Sequence, residues 1–217
     1  MIPTFRNDIH IEEDLIEEVG RVIGYDTFPK TLPLSAVPTA KVAYARDYDL
    51  EYETKQILNG EGYNEIGTYS MVSEKQLVAL GIDLARSLRL INPISKDYEF
   101  MRPNLLGNLL DAVKQNQAVF PEMKIYELGK RYFGETIDKF TEEYWLWAAM
   151  TGEKTMEAKG CVELLLDKLG VKYVIRPATT LDNHRWFHPG RIGHVEDSKG
   201  NYLGVVGEIH PNLATKW

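Results

Sequence analysis

Hydrophobic and polar positions alternate along the chain with two different periods, which predict both helices and strands. Between Glu12 and Ile23, apolar residues recur every three or four positions, and this spacing predicts an amphipathic helix with an acidic face opposite the apolar stripe. Further along, the predicted helices cover about 46–59, 73–81, 105–113 and 155–169. The predicted strands cover about 63–71, 88–91, 124–133, 144–151, 171–176, 193–196 and 202–206.

Turn-forming residues separate these elements and indicate the fold class. Ser73-Glu74-Lys75-Gln76 has the pattern of a capping box, and Ser198-Lys199-Gly200-Asn201 is typical of a hairpin turn. Hairpins mixed with helices predict an α+β fold with a mostly antiparallel sheet flanked by helices. We expect residues 1–30 to be the C-terminal remnant of a preceding domain, residues 31–45 to be a proline-spaced linker, and residues 46–217 to be a second module, truncated at its C-terminus.

Composition and charge exclude several classes of protein. Of the 217 residues, 44% are hydrophobic and 26% are charged, which is ordinary for a globular protein. The net charge of -7 argues against a protein that coats nucleic acid, although a local basic patch could still contact RNA. Cys161 is the only cysteine in the sequence, so an internal disulfide and a cysteine-based zinc site are excluded. No apolar run approaches the roughly 20 residues that span a bilayer, and the start does not resemble a signal peptide, so we expect a cytoplasmic protein without a membrane segment.

Four carboxylates near the start of the chain form the first candidate site. Asp14, Glu17 and Glu18 share one face of the first predicted helix, and Asp8 lies in the extended run just before it. Carboxylates that converge in this way repel each other unless a cation lies between them, and Mg²⁺ prefers oxygen ligands. From the spacing alone, a solvated helix face whose charge Arg21 partly neutralises is the favoured interpretation, because acidic helix faces are common.

Other motifs give weaker signals. His184, His188 and His194 could suggest a metal site, but Pro189-Gly190 interrupts any helix that would align them, so we expect a structural loop. The sequence contains neither a P-loop, nor a Gly-x-Gly-x-x-Gly run, nor a Gly-x-Ser-x-Gly nucleophile motif.

Several short stretches, in the same order and across nearly the whole chain, resemble the beta subunit of bacterial-type phenylalanine–tRNA ligase. They include Asn7-Asp8-Ile9-His10, Gly62-Tyr63-Asn64-Glu65, Met101-Arg102-Pro103-Asn104, Tyr126-Glu127-Leu128-Gly129, Phe187-His188-Pro189-Gly190-Arg191 and Gly207-Glu208-Ile209-His210-Pro211. The resemblance implies a degenerate class II aminoacyl-tRNA synthetase core. It also implies that Asp8, Asp14, Glu17 and Glu18 bind Mg²⁺ at the contact with the alpha subunit.

The same resemblance implies a structural, non-catalytic part of an enzyme. An alpha2-beta2 tetramer would attach phenylalanine to its tRNA using ATP, with the ATP site in the alpha subunit, and the isolated chain would be inactive. Class II cores hold ATP phosphate with an arginine at a position that falls on Phe133 here, whereas a shift of two residues would place Arg131 there. The helices near 46–59 and 105–113 are candidate interface elements. The alternatives are a stand-alone adenylate-forming enzyme and a metal-binding scaffold unrelated to tRNA.

Overall fold

The computed structural model describes residues 2–31, 45–136, 139–178 and 185–217, in two compact units. The units are Met1–Val42 and Ala43–Trp217. The proline-spaced segment predicted as a linker lies largely outside the described residues, as does His184. Among the described residues, no helix has both the length and the apolar character needed to cross a membrane.

The first unit contains one α-helix, α1, at Glu12–Ile23, which confirms the predicted bounds. The helix ends at Gly24, whose φ of 91° lies in the region that favours glycine. Gly20 is the buried residue of this helix. A Cβ added at Gly20 would lie 3.5 Å from the ring of Tyr25. The apolar stripe is exposed in this unit; its residues are Leu15, Ile16, Val19, Val22 and Ile23.

The second unit combines helices with three small sheets. Its α-helices are α2 (Ala45–Gly60), α3 (Glu74–Ala79), α4 (Leu106–Asn116), α5 (Thr155–Lys168) and α6 (Pro211–Ala214). Its strands are β1 (Asn64–Glu65), β2 (Met71–Val72), β3 (Phe100–Met101), β4 (Lys124–Thr136), β5 (Lys139–Met150), β6 (Tyr173–Pro177), β7 (Phe187–Asp197) and β8 (Tyr202–Ile209). The sheet orders are β1-β4-β5, β2-β3 and β6-β7-β8, and every pair except the parallel β1-β4 pair is antiparallel. The predicted α+β class is confirmed.

The long β4–β5 hairpin has apolar clusters on both faces. Neighbouring residues of a strand point to opposite faces, and here Tyr126 packs with Leu58 of α2, while Ile125 packs with Leu109 of α4. The side chains of Tyr126, Leu58 and Leu109 are at most 1% exposed. Cys161 of α5 is buried beside Tyr126, and burial raises the pKa of its thiol.

The prediction of one continuous strand over 63–71 is wrong in its extent, because only the two ends of this segment pair with other strands. In the middle of the segment, backbone groups form hydrogen bonds with side chains. Thr68 donates its backbone N–H to the Glu127 carboxylate at 3.3 Å, and the backbone carbonyl of Tyr69 accepts a bond from the Asn108 side-chain amide at 2.9 Å. The predicted strand at 88–91 is likewise reduced to a single bridge between Arg89 and Phe100.

Strand β7 extends through a stretch predicted to be a loop. Phe187 pairs with Ile209, and Ile192 pairs with Gly207, so five positions along β7 lie opposite two along β8. This bulge accommodates Pro189-Gly190 within the strand. The turn predicted at 198–201 does connect β7 to β8, and Asp197 accepts the backbone N–H groups of Lys199 and Asn201, each at 2.8 Å.

Candidate functional site

The acidic face of α1 is paired with arginines in the first unit. A single atom, Nη2 of Arg6, lies 2.6 Å from Oδ2 of Asp8 and 2.8 Å from Oε1 of Glu18. Glu18 also accepts a bond from Arg21 at 2.6 Å. The structure therefore brings Asp8 and Glu18 together around one cationic group, although they are ten residues apart.

Asp14 and Glu17 occupy different surroundings. Oδ2 of Asp14 accepts the backbone N–H groups of His10, at 2.7 Å, and Ile11, at 3.0 Å. These bonds fix the start of the helix in the manner of a capping carboxylate. Glu17 is exposed on the next turn. No group of three or more His, Cys, Asp or Glu side chains in the described part of the chain is arranged to hold a metal ion, so the four-carboxylate site stays a prediction.

Hydrogen bonds lower the pKa values of three of these carboxyl groups, those of Asp8, Asp14 and Glu18. The Arg6 guanidinium lowers the pKa of Asp8 to about 2, and Arg6 together with Arg21 lowers the pKa of Glu18 to about 2. Backbone N–H groups lower the pKa of Asp14. A carboxyl group whose pKa is lower in the folded than in the unfolded state stabilises the fold at pH values above its unfolded-state pKa. It loses that contribution as the pH falls towards its folded-state pKa. The pairs are therefore intact at neutral pH.

In the second unit, a buried ion pair crosses the face of β4 that carries α4. Nη1 of Arg102 lies 2.7 Å from Oε1 of Glu127, and the side chains are only 3% and 5% exposed. Thr68 donates its hydroxyl to Glu127, at 2.7 Å, and accepts bonds from Arg102, at 2.8 Å, and Asn108, at 3.0 Å. Arg102 also donates to the carbonyl of Lys130 at 2.8 Å. The sequence analysis did not predict this network. The feature that could have indicated it is the presence of charged and amide residues within otherwise apolar elements.

A glycine makes room for this arginine. A Cβ added to Gly129 would lie 2.4 Å from Nη2 of Arg102 and 3.1 Å from Oε1 of Glu127. Real Cβ atoms essentially never make contacts below 3.0 Å, so a side chain at Gly129 would require the end of the Arg102 side chain to shift.

Further along β4, the two residues considered for phosphate binding have distinct roles. Arg131 donates to Glu143 of β5 at 2.7 Å, and its guanidinium lies 3.9 Å from the ring centroid of Trp145 and 4.6 Å from that of Phe133. The charge of Arg131 is therefore paired, and Phe133 carries no charge. Neither side chain offers β4 an unpaired cation for an ATP phosphate.

Phe133 also lines a cavity of about 690 Å³ beside the β4–β5 hairpin. Its wall includes Arg86, Lys139, Arg185 and Trp186. Trp186 is held in place because its indole N–H donates to the carbonyl of Leu80 at 2.8 Å. The volume falls within the range of small-molecule sites, roughly 300–1,000 Å³.

The histidines of β7, His188 and His194, form contacts within their own strand and with the neighbouring strand β6. Gly190 donates its backbone N–H to Nδ1 of His188 at 3.1 Å, and Nδ1 of His194 lies 3.1 Å from Nη2 of Arg176. The interpretation of a loop around these residues is wrong, since Phe187–Asp197 is a strand.

The two helices considered as interface elements differ in their exposure. The leucines at the start of α4 are buried, with Leu106 4% and Leu109 1% exposed. Helix α2 instead carries exposed apolar side chains, with Tyr48 69%, Leu50 50% and Tyr52 65% exposed. Of these two helices, α2 is therefore the one with exposed apolar side chains.

Comparison with solved structures defines the class of fold. Two structures of pyrrolysyl-tRNA synthetase from Desulfitobacterium hafniense align over 78% of this chain and 61% of each of theirs, with TM-scores of 0.61 and 0.63 at 18% and 17% identity. The second unit therefore has the fold of a class II-like aminoacyl-tRNA synthetase core.

The family models described as the phenylalanyl tRNA synthetase beta chain CLM domain and the tRNA synthetase B5 domain match residues 28–217 and 1–25, respectively. The chain belongs to the family of phenylalanyl-tRNA synthetase beta chains. The phenylalanine–tRNA ligase beta subunit of Staphylococcus epidermidis is 33% identical over 98% of this chain, and that of Staphylococcus aureus is 31% identical over 99%. The chain spans 28% of the length of these curated relatives.

Proposed function

We propose that this chain acts as the structural, non-catalytic part of a phenylalanine–tRNA ligase beta subunit. In an alpha2-beta2 assembly in the cytoplasm it would support the alpha subunit, which attaches phenylalanine to tRNA using ATP and Mg²⁺. The observation that carries the proposal concerns β4 of a synthetase-like core: Arg131 is paired with Glu143, and Phe133, two residues further along the strand, carries no charge. A fold that keeps its architecture while β4 offers no unpaired arginine among its described residues fits a supporting role. The named relatives do not favour a stand-alone adenylate-forming enzyme.

The domain organisation follows the same proposal. Residues 1–30 would be the C-terminal part of a preceding metal-binding domain, residues 31–45 a linker, and residues 46–217 the catalytic-like module. The exposed apolar stripe of α1 supports this assignment, because a helix face of that kind is covered in a complete domain.

Association with the alpha subunit tests the supporting role. We expect the double substitution Tyr48→Ser and Tyr52→Ser to weaken binding to a phenylalanine–tRNA ligase alpha subunit at least about tenfold, because exposed aromatic residues dominate many interfaces. Binding would be measured by pull-down at native salt and by titration calorimetry.

The matched control is Glu53→Ser, an exposed polar position on the same helix. It should leave the affinity unchanged. Failure of the unmodified chain to associate with the alpha subunit would rule out the proposed function. Equal binding by the double variant would rule out α2 as the contact.

We also propose that Asp8, Asp14, Glu17 and Glu18 bind Mg²⁺ in the assembled enzyme. Carboxylate oxygens are suitable ligands for a hard cation. The support is geometric: Asp8 and Glu18 converge on one Arg6 nitrogen, at 2.6 Å and 2.8 Å, which is a position that a cation can occupy. Binding would require Arg6 to turn away.

This competition predicts effects of opposite sign. Glu18→Gln and Asp14→Asn should weaken Mg²⁺ binding by about tenfold or more, whereas Arg6→Gln should strengthen it. Titration of the complex with Mn²⁺, followed by electron paramagnetic resonance, measures each affinity. Glu13→Gln, an exposed residue outside the set, serves as the control. Weaker binding in Arg6→Gln would contradict the proposed competition.

A further inference from the structure

We propose that the side chain of Asn59 is a self-modification site, at which the chain slowly converts this asparagine to aspartate and isoaspartate. Asn59-Gly60 is the only Asn-Gly pair in the sequence, and both residues are exposed to solvent. They are the last two residues of α2, which ends at Gly60. This inference is independent of the association with an alpha subunit.

The reaction is an intramolecular acyl transfer followed by hydrolysis. The backbone nitrogen of Gly60 attacks Cγ of Asn59 and forms a new C–N bond, while hydroxide from the solvent takes the proton of that nitrogen. The bond from Cγ to the side-chain nitrogen then breaks, and ammonia leaves with a proton from water. Water adds to either carbonyl carbon of the resulting cyclic imide and opens the ring, which gives aspartate at one carbon and isoaspartate at the other. No electrons are transferred, and water is the only co-reactant.

Glycine at position 60 permits the backbone nitrogen to approach Cγ. Ring closure requires the end of α2 to leave the helical conformation, and helices fray at their ends. Apart from the adjacent residues and the backbone of the helix, no described atom lies within 4 Å of the place that a Cβ of Gly60 would occupy. Gly62, with a φ of 82°, forms the turn that follows and donates its N–H to the Asn59 carbonyl at 3.0 Å. Two glycines beside the reacting bond therefore ease the local rearrangement.

A buried tyrosine activates the side-chain carbonyl of Asn59. The hydroxyl of Tyr126 donates to Oδ1 of Asn59 at 3.2 Å, and the Tyr126 ring is fixed by packing with Leu58. Negative charge develops on this oxygen when the nitrogen attacks Cγ, so a preorganised donor stabilises the transition state. The hydroxyl has one proton to donate. Its other acceptor, Oε2 of Glu65, lies farther away at 3.4 Å, and the charge of Glu65 is paired with Lys55 at 2.8 Å.

The product changes the charge at the end of α2. A carboxylate replaces a neutral amide close to Glu61 and Glu65, at the helix terminus that already carries a partial negative charge. Isoaspartate also adds one atom to the main chain. Asn59→Asp reproduces the charge alone, and we expect it to lower the thermal unfolding midpoint by about 1–4 °C.

Ageing of the full chain at mildly alkaline pH tests the proposal. Peptide mass mapping should show, in the peptide that contains Asn59, the mass change for exchange of NH₂ by OH, and an isoaspartyl methyltransferase should label that peptide. Asn116 is the internal control: it is likewise exposed at the end of a helix, but Gln117 follows it, and it should stay unmodified. Gly60→Ala should slow the reaction by about tenfold or more, because a Cβ restricts the backbone.

Tyr126→Phe separates activation by the hydroxyl from simple exposure of the amide. In the folded chain this variant should react about tenfold more slowly, a smaller loss than at an enclosed oxyanion site because water can replace the hydroxyl at an exposed amide. In guanidinium chloride both chains lose the Tyr126 contact, so their rates should be equal, and a difference that persists there would contradict activation by the hydroxyl. Absence of modification at Asn59 in the folded chain, or equal rates in the two folded chains, would overturn the proposal.

Discussion

Replacing Arg102 by methionine is expected to lower the free energy of unfolding of the second unit by about 3–5 kcal/mol. The substitution leaves the Glu127 carboxylate in a site where its side chain is 5% exposed, with Thr68 as its remaining hydrogen-bond partner among those described above. An uncompensated buried charge is costly because the protein interior screens it poorly. Urea unfolding followed by circular dichroism measures the change as a shift of the midpoint.

The double variant Arg102→Met and Glu127→Gln is the control for charge. It removes both members of the pair, so it should recover part of the stability lost in the single variant. If both proteins unfold at the same urea concentration as the unmodified chain, the pair contributes nothing to stability and this account of the network is wrong.

The substitution Leu109→Ala is expected to lower the free energy of unfolding by about 2–5 kcal/mol. Leu109 is 1% exposed and packs with Leu105 and Ile125 between α4 and the hairpin, so truncation removes apolar contacts and leaves a cavity. Chemical denaturation at constant temperature measures the loss.

Val78→Ala on α3 is the matched control, because Val78 is 57% exposed and should cost well under 1 kcal/mol. A small effect at Leu109 would indicate that α4 is loosely packed and would return it to consideration as an interface helix.

The helices could be predicted closely from the sequence because their signals are local. Helix α1 has the predicted bounds, and the N-terminus of α3 is fixed by Ser73, whose hydroxyl accepts the backbone N–H of Gln76 at 3.1 Å. The reciprocal half of the capping box does not form, because the Gln76 amide instead donates to Asp111 of α4 at 2.7 Å. That choice depends on a residue 35 positions away.

The strands were predicted less well wherever long-range polar groups decide the pairing. Alternation suggested one strand through Thr68, but the buried Glu127 carboxylate binds Thr68 instead, and no local pattern reveals that contact. Pro189-Gly190 suggested a loop, whereas a bulge in β7 accommodates both residues.

The candidate site was only partly predictable for a similar reason. The carboxylates of α1 follow from helical periodicity, but the role of Arg6 as their common partner depends on how the preceding segment folds back. The cavity cations, by contrast, come from three separate segments of the chain, and the sequence contains no motif that joins them.

The close approach of Arg102 to Gly129 also constrains how this chain can change over evolution. A Cβ at position 129 would overlap the Arg102 guanidinium, so a substitution there requires either that the end of the Arg102 side chain shifts or that Arg102 is replaced first. We expect the loss of Arg102 to destabilise the fold while Glu127 retains its charge, because the carboxylate would then be buried without a cation. We therefore expect the three positions to be epistatic, because the effect of a substitution at one of them depends on which residues occupy the other two.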